Sequence, residues 1–443
     1  MAAAVRAVLI DITPLRVSVP FRRIFVARLI SLVGIGMLLV SVPVQVYNLT
    51  GSSMQVGTAT AVTGLATFLG MPLGGVLADR FDRRSLILVG RSAAALAFMG
   101  LAANAFGVFG QAAALPVLYV LAVTDGLIGA LSIAALMAAI PTLIDRRHLP
   151  SVGALGAFSV RLGSAVSPGI AGFIIGAAGV QWAYVTAAVV ATVAVLILLG
   201  LPSLPPDAAI LGDRSERADE EPRDRTPDDT TTVETTAATT PSLWRFLRTR
   251  RVITAVMAVG TLAMFAPGIV ALLPALVAQR FDGNASITGL LFAAVATGAM
   301  LGAITSGWLG GLRRPGVVLL AALTLTFVIM IAFGLAPYAW LMLGLLVVVG
   351  YFESVQEVLR YTLIQQHTPG PLLGRVNGIW MAQEVGGVTV GSLVAGAYGA
   401  IWVASDAVIY FGLTLLVLSL ICAVVLRSLV RVRGERPTAI PVS

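Results

Sequence analysis

A run of about 20 apolar residues is long enough to cross a bilayer as a helix, and this chain has twelve such runs. They lie near 24–47, 53–77, 85–106, 112–142, 151–176, 182–202, 252–278, 285–310, 316–336, 338–364, 375–398 and 403–427. A spanning segment has to satisfy its own backbone hydrogen bonds, and these runs are far longer than the alternating strands of an outer-membrane barrel. The expected fold class is therefore an all-α membrane protein with twelve transmembrane helices. Composition agrees: 58% of the 443 residues are hydrophobic and only 11% are charged, well outside the range of soluble globular domains.

Charge placement orients the bundle, because arginine and lysine are retained on the cytoplasmic side during insertion. All 29 basic residues are arginines. Apart from Arg280 and four inside apolar runs (Arg28, Arg91, Arg161, Arg360), they fall in the N-terminus, the even-numbered loops or the C-terminus. Both termini are expected to be cytoplasmic. The net charge of +8 follows from topology, and no compact basic domain remains to hold nucleic acid. The start, "MAAAVRAVLIDITPLRVSVP", is broken by Asp11, Pro14 and Pro20, so the first apolar run is expected to act as its own targeting signal.

The single cysteine, Cys422, excludes an intramolecular disulfide, and His148 and His367 sit in separate loops. No metal site or cofactor is expected. No nucleophile, histidine base and orienting acid converge on one membrane face, so no enzyme is expected either.

Residues 203–243 hold ten of the 21 acidic residues together with many threonines and prolines, and show no helical apolar stripe. They read as a disordered linker dividing the runs six and six. The following "SLWRFLRTRR" has the aromatic and basic pattern of an interfacial helix against anionic lipid, or of a plain lead-in to the seventh run. The expected organisation is a six-helix half over 1–202, a linker with interfacial segment over 203–251, a second half over 252–427 and a tail over 428–443.

The two halves share an internal repeat. Thr142-Leu143-Ile144 matches Thr362-Leu363-Ile364, His148-Leu149-Pro150 matches His367-Thr368-Pro369, and Gly163 matches Gly386, in order. Parallel six-helix repeats place a substrate site at the midplane between them, with transport by rocking of one half against the other.

Charges inside the apolar runs are the candidate site residues, because each costs about 2.5–3.5 kcal/mol at the bilayer centre and so faces a cavity or a partner. Six stand out: Asp125, Arg161, Glu353, Glu357, Arg360 and Glu384. Glu353, Glu357 and Arg360 share one helical face by spacing. At about 1.5 Å per residue, Glu357, Arg161 and Glu384 fall at one level, with Glu353 and then Asp125 further from the cytoplasmic side. Such a ladder suits a proton path, with Glu353 as proton carrier and Glu357 held by Arg360. It equally suits a fixed pair between Arg161 and Glu357 or Glu384 that only joins the halves.

"GGVLADRFDRR", Gly74 to Arg84, resembles the loop signature of the major facilitator superfamily, with Asp82 where that family usually has glycine. The resemblance implies that Gly75, Asp79, Arg80, Arg83 and Arg84 form a latch between two carrier states; the corresponding "SGWLGGLRRPG" keeps only Arg313 and Arg314. "GSAVSPGIAG" resembles the family's antiporter element, with Gly163, Ser167, Pro168 and Gly172 at its positions. The family's usual arginine in the fourth helix is absent; Asp125, Gly126 and Gly129 stand there. "SVPVQV", "DGLIGALS", "VRLGSAVSP" and "LGRVNGIWMAQ" are similar to the siderophore-exporter branch. That resemblance implies a monomeric carrier of the bacterial inner membrane, embedded in lipid, that exports an amphipathic small molecule, a siderophore, against protons. A multidrug efflux carrier and a non-transporting sensor or scaffold are the alternatives.

Overall fold

The computed structural model describes residues 12–145, 148–205 and 243–432. Twelve helices in it are long and apolar enough to span a membrane. The helices that build these spans are α1 (Val19–Thr50), α2 (Ser53–Ala78), α3 (Arg83–Ala105), α4 (Gln111–Leu143), α5 (Leu149–Ala178), α6 (Val180–Leu199), α7 (Arg251–Ala263, the first part of the span Arg251–Ala271), α8 (Ala285–Ile304), α9 (Pro315–Leu335), α10 (Ala339–His367), α11 (Gly370–Ile401) and α12 (Ala404–Val425). The seventh span is discontinuous. Beyond α7 the chain passes through a 3-10 segment, Ala266–Ala271, and resumes as a helix over Leu273–Phe281. Pro267 lies in that break and has no N–H to give an α-helical ladder.

Local chemistry fixes several helix ends. The Ser18 hydroxyl accepts from the Phe21 amide at 3.2 Å, Asn284 accepts from the Ser286 amide at 3.0 Å, and Asp82 accepts from the Arg84 amide at 3.0 Å. Gly51 closes α1 with φ +62°, a conformation that glycine adopts without penalty. Inside the spans, serine and threonine hydroxyls donate to carbonyls four residues earlier, as Ser41 does to Met37 and Thr63 to Ala59. These hydroxyls are thereby satisfied within their own helices.

Helices α1 to α6 pack among themselves as α1–α5, α1–α6, α2–α4, α3–α4 and α3–α6, and the second six repeat the scheme with α9 and α10 in the places of α3 and α4. The halves meet along two main seams, α2 against α11 and α5 against α8. Both seams are glycine crossings. A Cβ on Gly57 would lie 3.3 Å from the Gly396 Cα, and one on Gly172 would lie 2.5 Å from the Gly289 Cα. Adding 232 to numbers in α1 and α2, and 224 to numbers in α4 and α5, turns one set of contacts into the other: Gly57–Gly396 maps onto Gly289–Gly172, and Gly36–Ser167 onto Gly268–Gly391. The duplication seen as motifs in the loops is thus a common packing register in the membrane.

The crossings lie where α2 and α8 begin and α5 and α11 end, on the face away from the chain's arginine-rich loops. Towards the arginine-rich face the same helices part: a methyl side chain placed at Gly75 of α2, Gly153 of α5 or Gly374 and Gly378 of α11 would meet nothing within 4 Å. The two halves form a V that is closed on one face and open on the other. Gly75 faces open space; its neighbour Gly74 packs on α4, where an added Cβ would lie 2.7 Å from the Leu131 Cα.

The seam has a direct test. Gly289→Val cannot be accommodated against Gly172 and should bias the protein away from this closed face. In a Cys422→Ser background, a cysteine placed at Ser286 should then react with a water-soluble maleimide several-fold faster. An unchanged labelling rate would show that the crossing does not hold the face shut.

Candidate functional site

Four intramembrane carboxylates line a series of cavities that share walls. The first, about 320 Å³, lies between the halves and has Asp125 of α4 on one side and Glu384 of α11 on the other, with Leu38, Val42 and Val388 among its apolar lining. Glu384 also lines a second cavity of about 170 Å³ within the second half, together with Glu353, Glu357 and Arg360 of α10. Glu353 in turn lines a third, about 180 Å³, bounded by Ser164 and Pro168 of α5 and by Pro267 in the broken seventh span. A fourth, about 220 Å³, lies inside the first half and holds Asp125 and Arg91. From wall to wall, each acid is shared by or adjacent to the next.

Arg360 organises the second half's site. Its side chain is 1% exposed although it sits at membrane depth. The guanidinium lies 5.4 Å from the centre of the Trp380 ring, against Gly260 of α7, and is held electrostatically by Glu384 and, more weakly, by Glu357. Gly260 makes room for this placement: a Cβ there would lie 2.5 Å from the guanidinium, which would have to shift. Trp380 Nε1 donates to Glu384 Oε1 at 2.8 Å, which fixes the carboxylate, and the Tyr361 ring packs on Trp380 with centroids 5.6 Å apart. Cation, ring and carboxylate form one unit across α10 and α11. Nearby, the buried Gln356 amide donates to the Thr326 hydroxyl at 2.9 Å. Gln383 joins α11 to α7 through the Met257 carbonyl at 3.0 Å and the Thr261 hydroxyl at 2.8 Å.

The structure brings Glu353, Glu357, Arg360 and Glu384 to one cavity and places Asp125 across the central one from Glu384. Arg161 lies in α5, and its side chain is outside the described ones. Arg360 is acted on electrostatically by both Glu384 and Glu357. Two site residues are missing from the set chosen on sequence: Arg91, which faces Asp125 from α3, and Arg28, which faces Arg91 from α1. In the sequence both read only as exceptions to the topology; the insertion cost that singles out the acids applies to them equally. Trp380 is missing as well, because its role depends on a neighbour twenty residues away on another helix.

The four α5 residues lie at helix crossings. Gly163 packs on Leu32 of α1, the Ser167 hydroxyl donates to the Gly163 carbonyl at 2.6 Å and sits against Gly36, and Pro168 and Gly172 meet Gly289. Of the loop residues, Asp79 and Arg80 are exposed at the open face, whereas Arg83 is buried and its amide donates to the Leu204 carbonyl at 3.0 Å. The Arg84 guanidinium donates to the Leu199 carbonyl at 3.0 Å. After the linker, Phe246 of the short helix Leu243–Thr249 is buried against protein. Among the described residues no group of three or more histidine, cysteine or acidic side chains is arranged to hold a metal ion.

Removing Arg360 should withdraw a shared counter-charge from two carboxylates. Arg360→Met is expected to cost about 3–5 kcal/mol of stability, read as a fall in thermal unfolding temperature in detergent. Adding Glu384→Gln should restore part of the loss. Equal stability of Arg360→Met and the parent would show that the guanidinium neutralises neither acid.

Comparison with known proteins bears on the whole chain. The family model described as Major Facilitator Superfamily matches residues 24–310 and 262–442. A protein of Citrobacter koseri named enterobactin exporter EntS is 36% identical over 431 residues, covering 97% of each chain, and one of Shigella boydii with the same name is 35% identical over 429 residues, again covering 97% of each. Among solved structures, a peptide transporter POT in complex with sulfate superposes with a TM-score of 0.66 at 16% identity, covering 94% of this chain and 96% of that one. A bacterial homologue of the iron transporter ferroportin, in an inward-facing state, superposes with a TM-score of 0.63 at 15% identity, covering 93% and 98%.

Proposed function

The chain belongs to the major facilitator superfamily, and we propose that it is a secondary carrier of the bacterial inner membrane that exports an amphipathic small molecule, a siderophore, in exchange for protons. The observation that carries the reading is the series of adjoining cavities at membrane depth along which Asp125, Glu384, Glu357 and Glu353 are arrayed. Its central part is lined mainly by apolar side chains with carboxylates at opposite walls, which suits a molecule with both apolar and polar parts. The 97% mutual coverage with proteins named enterobactin exporters supports the siderophore class.

With the arginine-rich face in the cytoplasm, the described conformation is the loading state, open to the cytoplasm and shut towards the outside by the two glycine crossings. Export follows when the halves, 1–202 and 252–427, rock about the site and the crossings part. The 203–251 connection and the 428–443 tail then lie in the cytoplasm. The carrier works as a monomer in lipid and needs no prosthetic group. Asp79 and Arg80, exposed on the open face, fit a latch that engages when that face shuts. Asp79→Asn is expected to impair transport at normal abundance in the membrane; wild-type transport by a well-expressed variant would remove the latch.

Deleting the gene under iron limitation should lower the secreted iron chelator and raise it inside the cells. Unchanged secretion with lost resistance to several unrelated dyes would replace the siderophore with a multidrug reading.

Glu353 lines both the cavity that holds Arg360 and the one that reaches α5, a junction on the path, and is the candidate proton carrier. In inverted vesicles Glu353→Gln should abolish uptake driven by a pH gradient while sparing gradient-free exchange, and Glu357→Gln should weaken both. Full gradient-driven uptake by Glu353→Gln would exclude it and leave Asp125 as the next candidate.

A further inference from the structure

The chamber inside the first half has a composition that the export reading does not use. It lies among α1, α2, α3 and α4, has a volume of about 220 Å³, and shares Ile35, Thr63, Thr67 and Asp125 with the central cavity, so it opens off the transport path as a side room. That volume exceeds the roughly 30 Å³ share of a single water molecule several-fold. We propose that this chamber is a subsite for a planar anionic group of the exported molecule, one presenting two oxygens to Arg91; the proposal rests on the export reading.

Three observations carry it. Arg91 and Asp125 interact electrostatically across the chamber, yet among the described residues no hydrogen bond or close ion pair joins them. The guanidinium therefore keeps its forked donors available to a ligand, and two oxygens in one plane match that fork. The Ser31 hydroxyl, 5% exposed and lining the chamber, has no hydrogen-bond partner among the described residues. A buried polar group without a partner is costly, and a ligand oxygen beside Arg91 would relieve it. Arg28, one turn from Ser31 on α1, adds a second positive charge that acts on Arg91, against the one acid, Asp125, that acts on it. At membrane depth that imbalance attracts one negative charge.

The walls select the shape. Phe98 and Ala94 lie on one side, and Gly129 leaves a gap in the α4 surface beside Asp125, which suits a flat ring carrying the anionic oxygens. A cationic group would meet Asp125 but would also face Arg91 and Arg28.

The test uses the full-length protein in lipid nanodiscs, titrated calorimetrically with benzoate, benzylamine and benzyl alcohol. Benzoate should bind in preference to the other two. Arg91→Gln should weaken it about tenfold or more, the usual consequence of losing a buried charge-assisted pair. Gly129→Leu, which fills the chamber and leaves all three charges in place, should weaken it as much. Should Arg91→Gln fail to fold, Gly129→Leu with an unchanged unfolding temperature decides alone. Benzoate affinity unaffected by Gly129→Leu, or a preference for benzylamine, overturns the proposal. In inverted vesicles benzoate should also compete with uptake of the secreted chelator; Arg91-dependent benzoate binding that leaves uptake unchanged would mark a site for free small anions and overturn the assignment to substrate. The titration needs no transported molecule, so it succeeds or fails separately from the secretion assay.

Discussion

Every charge that this chain carries into the bilayer has to be compensated by the protein itself, and the compensation is uneven between the halves. In the first half Arg91 feels both Asp125 and Arg28; in the second, Arg360 feels both Glu384 and Glu357 in a cavity that also contains Glu353. Each wall of the central cavity thus presents an acid, Asp125 on one side and Glu384 on the other, with an arginine behind it. At low dielectric such an arrangement is expensive unless a mobile charge, a proton or a substrate group, completes it. The folded protein is therefore balanced around what it carries.

That chemical asymmetry is imposed on a scaffold that is nearly symmetric. The offsets relating Gly57–Gly396 to Gly289–Gly172 also place Arg28 opposite Gly260, Glu353 opposite Gly129 and Trp380 opposite Gly156. These correspondences are exchanges. In the first half the Arg28 guanidinium lies 3.5 Å from where a Gly156 side chain would begin; in the second, the Arg360 guanidinium lies against Gly260 and over Trp380. Each half puts a guanidinium near the same junction, delivered from α1 in one and from α10 in the other, with glycine making room. Repetition preserved the backbone crossings, which need small residues wherever helices touch, and left the cavity-facing positions free to diverge.

This division explains what is legible in the sequence. The number of spans, their approximate limits and the existence of a repeat follow from run length, arginine placement and loop motifs, because the bilayer imposes those on any chain. The acids on α10 share a face by spacing alone. Arg91 and Asp125, however, are 34 positions apart on antiparallel neighbours, and Arg360 and Trp380 are brought together by the packing of α10 on α11. No periodicity records a contact between helices. The break in the seventh span is equally hidden, since "MFAPGIVALLPAL" is apolar throughout and only Pro267 and Pro274 hint at it.

The loop between α2 and α3 shows how a departure from a family pattern can be structural. A glycine at 82 would have no side chain; here the Asp82 carboxylate accepts from the Leu204 amide at 2.8 Å, from the Ser203 hydroxyl at 3.0 Å and from the Arg84 amide at 3.0 Å. The Arg83 amide returns a bond to the Leu204 carbonyl, and Arg84 reaches Leu199. The loop is thus tied to the end of α6 at the point where the chain leaves the first half. Arg83 is buried and Arg84 reaches Leu199, which leaves Asp79 and Arg80 as the loop's exposed charges for the proposed latch. Because Asp82 joins them to α6, any shift of the chain entering the connection between the halves is transmitted to the same loop that the latch would use.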